Sequence, residues 1–128
     1  MVDSTISPSL TTILTQLRPL LKEIGDIKIA KVLLLQQQAL DVSNEISQEG
    51  FTPIIVHTDL DIHFSLEAME LIYNEKIEVL ALATENEKLL PLFNRAKELG
   101  KEVILLLTTN KVSRGLQNAA DSVLAISA

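Results

Sequence analysis

The chain has 128 residues, 47% of them apolar but only 3% aromatic, with a formal charge of −6 and a pI near 4.8. That length fits one domain, and the acidity weighs against tight, sequence-independent nucleic-acid binding, which needs a basic surface. There is no cysteine and there are only two histidines, His57 and His63, which excludes disulfides, thiolate zinc sites, cysteine catalysis and a histidine-rich metal site.

Residues 1–8, MVDSTISP, read as a loose polar arm, and residues 9–128 as the single domain. The arm lacks a basic start followed by an apolar run, so no signal peptide is expected. No apolar run approaches the roughly 20 residues a membrane helix needs, so the expected compartment is the cytoplasm. Ser9 caps a helix over Leu10–Ile24, whose Leu10, Ile13, Leu14, Leu17, Leu21 and Ile24 recur at helical spacing. Pro19 should kink or break it, and Gly25 should end it. Ile29–Gln36 is the first strand. Its Val32-Leu33-Leu34-Leu35 run does not alternate, as expected where both faces are covered. A short helix over about Leu40–Gln48 follows, stopped by Gly50, and then a strand over Pro53–His57.

An acidic helix over about Asp61–Asn74 comes next, with Asp59 or Asp61 as its cap. Ile62, Leu66, Met69 and Tyr73 are expected to form its buried stripe, with His63, Glu67 and Glu70 on another face. Ile77–Ala83 is the third strand. Thr84-x-x-Glu87 resembles a capping box, but a helix begun there would hold Pro91 in its interior at a cost of about 3 kcal/mol. A box contributes only about 1 kcal/mol. The cap therefore falls at Asn86 or Glu87, with Leu89, Leu92, Phe93, Ala96 and Leu99 facing the core and Gly100 closing the helix. Glu102–Thr108 is the fourth strand. Ser113 caps a short helix to Ala120, and Ser122–Ile126 is the fifth strand.

Strands alternating with helices, without hairpin signals, predict an α/β domain in which helices cover both faces of a mostly parallel sheet. In such sheets ligands bind where the strands end. The polar residues after the second and third strands, Thr58 to Asp61 and Thr84 to Lys88, would then gather at one edge. There is no G-x-G-x-x-G and no P-loop, so a nucleotide cofactor is not expected.

The runs TDLDIHFSLEAMELIYNEKIEVLALAT, LLPL, KELGKEV and LQNAAD, preceded by GDIKIAKVLLLQ and QEGFTPIIV, resemble the NYN family of PIN-like ribonucleases. The likeness is to its small archaeal and bacterial members, relatives of the LabA-type proteins, and covers Leu10–Ile126. It implies a three-layer PIN-like, Rossmann-like fold and a magnesium or manganese nuclease site built from acids in four places. The acidic-helix place is matched by Leu60-Asp61-Ile62 and Glu67. Alignment on Pro91 puts Asn86 and Lys88 where the family has an aspartate pair. Only Val2-Asp3-Ser4 corresponds to the end of the family's first strand, and that strand is expected to be missing. The remaining five would then be ordered 2-1-3-4-5, with the gap alternatively filled by the arm or a partner's chain.

The implied function is a NYN/PIN-like domain with a degenerate nuclease site, which binds a protein partner or, weakly, RNA. No metal or cofactor is expected. Lys88 would replace the ion as counter-charge to Asp61 and Glu67. The alternative is a working ribonuclease with magnesium or manganese on Asp61 and Glu67. Asp3, Ser113 and Asp121 stand as accessory positions, Ser113 and Asp121 reading equally as a cap and a turn acid. Lys101, Lys111 and Arg114 read as scattered surface charge or a small phosphate patch, and Gln36-Gln37-Gln38 offers hydrogen bonds near the expected site. No membrane partner is expected. A homodimer is compatible with the chain, but no residue pattern marks it.

Overall fold

The computed structural model describes residues 2–3, 10–27, 29–35, 44, 46–84, 86–107 and 112–125. Gln36-Gln37-Gln38, Lys111, most of the arm and all but residues 44 and 46–48 of the short second helix lie outside them. The elements, in chain order, are β1 (Val2–Asp3), α1 (Leu10–Ile24), β2 (Lys31–Leu35), β3 (Thr52–Val56), α2 (Leu60–Ile72), β4 (Val79–Leu82), α3 (Leu90–Glu98), β5 (Glu102–Leu107), α4 (Arg114–Ala119) and β6 (Ser122–Ala125). A 3-10 turn over Glu87–Leu89 leads into α3. Among the described residues no helix is long and apolar enough to cross a membrane.

Every strand pair is parallel. The strands form two three-stranded sheets, β1-β2-β3 and β4-β5-β6, rather than one five-stranded sheet. The first strand, expected to be missing, is present as the two-residue β1, with Val2 opposite Val32 and Asp3 opposite Leu33. It is too short to bridge the halves along their length. Below it a cavity of ≈ 370 Å³ opens, walled by Ile29 and Ala30 on one side and by Val79, Leu80 and Ala81 on the other. The cavity separates β2 from β4, which are not paired with each other among the described residues.

The halves nevertheless form one layer. On one face Val32 and Leu34 of β2 share a buried cluster with Ile104 and Leu106 of β5, Phe51 and Ile46, and Leu20 and Leu21 of α1 pack against it. On the other face Leu33 and Val56 share a cluster with Leu80, Leu82, Val103 and Leu105, under α2, α3 and α4. Alternate residues of each strand point to opposite faces, and both faces draw on both sheets. Burial of the whole Val32–Leu34 run matches its lack of alternation. The result is the α/β three-layer domain that the strand and helix pattern predicts.

Local chemistry fixed several boundaries. α1 runs through Pro19 without ending, so of the expected kink or break the break does not occur. Asn86 caps the 3-10 turn by accepting the Lys88 backbone N–H at 3.0 Å, which leaves Pro91 in the first turn of α3. There its missing donor breaks no hydrogen bond. Leu89, Leu92, Phe93 and Ala96 are buried as expected, but Leu99 is exposed. Gly50 has a φ of +85°, and a Cβ on it would stand 2.7 Å from the Arg18 guanidinium carbon. A side chain there would thus meet both strain and a clash.

α2 departs most from the sequence reading. Its buried residues are Leu60, Phe64, Ala68, Leu71 and Ile72. The expected buried stripe lies on the opposite side, with Ile62 59%, Leu66 60% and Tyr73 54% exposed.

Candidate functional site

All strands run the same way, so their C-terminal ends share one edge. There stand Asp3 at the end of β1, the Thr58–Asp61 turn after β3, Thr84 and Asn86–Lys88 after β4, and Ser113 at the start of α4. This is where ligands bind in open parallel sheets.

Asp59 holds the N-cap position of α2 in the left-handed region, φ 55° and ψ 52°, and its side chain makes no capping bond. Aspartate tolerates that region better than most residues, at a cost of about 1 kcal/mol. Thr58 Oγ1 donates to its carboxylate at 3.2 Å. Its backbone carbonyl accepts the N–H groups of Ile62 and His63 at 3.0 and 3.2 Å. Asp61 is therefore not the cap. It lies exposed in the first helical turn, where the helix dipole favours an acid.

Glu67 stands apart from Asp61. Six positions separate them, about 9 Å along the axis and on different sides of the helix. Glu67 instead meets Lys31, the first residue of β2, at 2.6 Å, with side chains 24% and 21% exposed. Glu70 reaches the same ammonium at 4.0 Å. The pair points toward the opposite edge of the sheet, where β2 begins. The counter-ion of Glu67 is thus Lys31 and not Lys88, which is exposed and forms no ion pair among the described residues.

After β4, buried Thr84 accepts the Asn86 backbone N–H on its hydroxyl at 3.1 Å. The side-chain oxygen of Asn86 is occupied by the cap described above. Ser113 Oγ accepts the Leu116 backbone N–H at 3.2 Å, so Ser113 is a helix cap at the edge of the site. Glu87 Oε1 lies 3.4 Å from where a Cβ on Gly115 would stand, beside Ser113 Oγ at 3.7 Å. Glu87 is the acid that sequence reasoning passed over as a site residue, having weighed it only as part of a capping box or as the cap itself. The available signal was Gly115, whose missing side chain leaves room over the first turn of α4.

Two other positions leave the site. Asp121 precedes β6 and so sits at the N-terminal edge. Its carboxylate accepts the Val103 N–H at 2.8 Å while its own N–H donates to the Val103 carbonyl at 2.8 Å. It pins β6 onto β5 far from the other acids. Asp121→Ala should lower unfolding free energy by about 1–2 kcal/mol in a urea titration, as expected for a charge-assisted bond to backbone. Any ligand of the C-terminal edge should bind that variant unchanged. Lys101 donates its ammonium to the carbonyls of Asn74, at 2.8 Å, and Ile77. It fastens the α2–β4 turn and takes no part in a phosphate patch.

A divalent ion of the magnesium type needs several hard oxygen donors in a near-octahedral shell. At this edge Asn86 spends its oxygen on a cap, Lys88 brings a positive charge, and Glu67 is turned toward Lys31. Among the described residues no group of three Asp, Glu or His side chains is placed to hold a metal ion.

The family described as "NYN domain" matches residues 6–127. The uncharacterized protein MJ0482 of Methanocaldococcus jannaschii is 36% identical over 113 residues, 88% of this chain and 47% of that relative. The chain thus spans about half the length of that relative. The crystal structure of VPA0982, a protein of unknown function from Vibrio parahaemolyticus, superimposes with a TM-score of 0.78 at 16% identity. It covers 89% of this chain and 78% of its own, a likeness of fold.

Proposed function

The chain belongs to the NYN domain family, a branch of the PIN-like nucleases, and from that premise we propose that its metal-nuclease centre has degenerated and that it acts by binding. The observation that carries this is the Lys31–Glu67 pair at 2.6 Å. An ammonium at that distance neutralises the carboxylate, and its removal would leave a half-buried charge unpaired. The acid of the second family place is thereby engaged in holding α2 on β2. The asparagine and lysine after β4 add no charge that could attract a cation. The reading includes no resident metal or cofactor and a cytoplasmic setting. Its partner is a protein or, weakly, RNA. A net charge of −6 leaves RNA only local basic contacts, and binding through them should weaken with salt in proportion to the phosphates neutralised.

The alternative, a manganese- or magnesium-dependent ribonuclease, draws on β1. Its pairing with β2 brings Asp3 to the edge where Asp61 stands. The two readings part in one assay. Single-stranded RNA is incubated with manganese and the native chain, Asp61→Asn or Glu67→Gln. The native chain should cleave no faster than either variant. Cleavage that requires manganese and drops at least 100-fold in Asp61→Asn would establish the alternative.

A further inference from the structure

α2 is apolar on two opposite sides, and only one is covered. A surface helix ordinarily carries one apolar stripe and a polar back. Here Leu60, Phe64, Ala68, Leu71 and Ile72 meet the core, while Ile62, Leu66 and Tyr73 stand more than half exposed, with Met69 partly buried between them.

The outer stripe has its own order. Its members are spaced 4-3-4, the alternation of a coiled-coil seam. That spacing reads the same in either direction. Two copies laid antiparallel would set Ile62 against Tyr73 of the other, and Leu66 against Met69, over about 16 Å of helix. An isologous two-fold contact requires this self-complementarity.

Charge points the same way. Asp59 and Asp61 stand at the N-terminal end of the stripe, and Arg95 stands at the C-terminal end. The Arg95 guanidinium lies 5.8 Å from the Tyr73 ring centre and donates to its hydroxyl at 2.8 and 3.0 Å. It also reaches Glu98 at 2.9 Å. The hydroxyl first, then Glu98, hold its pKa above the ordinary value, so it stays a cation at any working pH. A parallel pairing would stack acids on acids and arginine on arginine. An antiparallel one sets Arg95 of each copy near the acids of the other.

We propose that the outer face of α2 is the contact of a two-fold homodimer with its helices antiparallel. Four side chains per copy make a small interface, so the dissociation constant should be on the order of 10–100 µM.

Sedimentation equilibrium from about 5 to 500 µM tests it. The native chain should pass from 14.1 kDa to twice that mass. Leu66→Asp should remain monomeric at every concentration, with a circular-dichroism spectrum and melting temperature unchanged in dilute solution at about 1 µM. Arg95→Glu and Asp61→Arg should each weaken dimerisation at least tenfold, and their equimolar mixture should recover it. A native chain that stays monomeric to 500 µM overturns the proposal, as does a Leu66→Asp variant that still dimerises. Failure of the mixture to recover overturns the antiparallel arrangement.

Discussion

Replacing Asn86 and Lys88 together by aspartate is expected to create manganese binding in a chain whose native form is expected to show none below about 1 mM. Both positions lie at the C-terminal edge of the sheet, on the turn that faces α4 through Glu87. The double change makes the local charge more negative by three: one from Asn86→Asp and two from Lys88→Asp. It removes an ammonium that opposes a cation and adds two hard oxygen donors, the kind magnesium and manganese take. The fold should tolerate it, because aspartate caps a helical turn as well as asparagine does. Lys88 is exposed, with only its backbone N–H engaged. Titration calorimetry should give a dissociation constant of about 10–100 µM, at least tenfold tighter than in the native chain, and each tenfold corresponds to about 1.4 kcal/mol. Metal that binds only the folded state raises its melting temperature, so manganese should stabilise the variant and leave the native chain unmoved. A native chain that binds manganese as tightly as the variant would show that the site never degenerated.

What was legible beforehand follows the range of the interactions. Strand positions came from unbroken apolar runs, and each strand from β2 to β6 falls within two residues of its expected span. The start of α3 was legible because it turns on one local conflict, a capping box against Pro91, whose two costs differ threefold. The Ser113 cap was likewise local. The Lys31–Glu67 pair was not, since 36 residues separate its members and nothing in either neighbourhood names the other. It displaced Lys88 from the role expected of it. Asp121 was misplaced for a different reason. Its neighbours matched the family's order, but an acid before a strand lies at the edge opposite an acid after one. β1 was too short to carry any pattern, and among the described residues it is placed by its pairing with β2. Gly115, inside the helix that Ser113 caps, is the trace of Glu87 above it.

Phe64→Ala should remove about 3–5 kcal/mol of unfolding free energy, whereas Leu66→Ala, two residues away, should change it by less than about 0.5 kcal/mol. The contrast decides which side of α2 is load on the core. Hydrophobic periodicity alone cannot, because 60-64-68-71/72 and 62-66-69-73 are both apolar stripes at helical spacing. Phe64 is fully buried in the cluster formed with Leu33, Leu82 and Phe93, and losing it leaves a cavity that close-packed neighbours fill only in part. Leu66 is 60% exposed, so truncating it removes little buried surface. The measurement is a urea titration at about 1 µM, dilute enough that any association through Ile62, Leu66 and Tyr73 is absent. A domain of this size is held together by some 5–15 kcal/mol, so Phe64→Ala should consume about a fifth of it or more and shift the midpoint accordingly, with an unchanged slope. At about 200 µM the gap between the two variants should narrow by about 1–2 kcal/mol. There Leu66→Ala loses whatever a second copy adds to the native chain, while Phe64→Ala keeps the outer stripe intact. If Leu66→Ala instead proved costly in dilute solution, α2 would have to be rotated by about half a turn, carrying Phe64 outward and Glu67 away from Lys31.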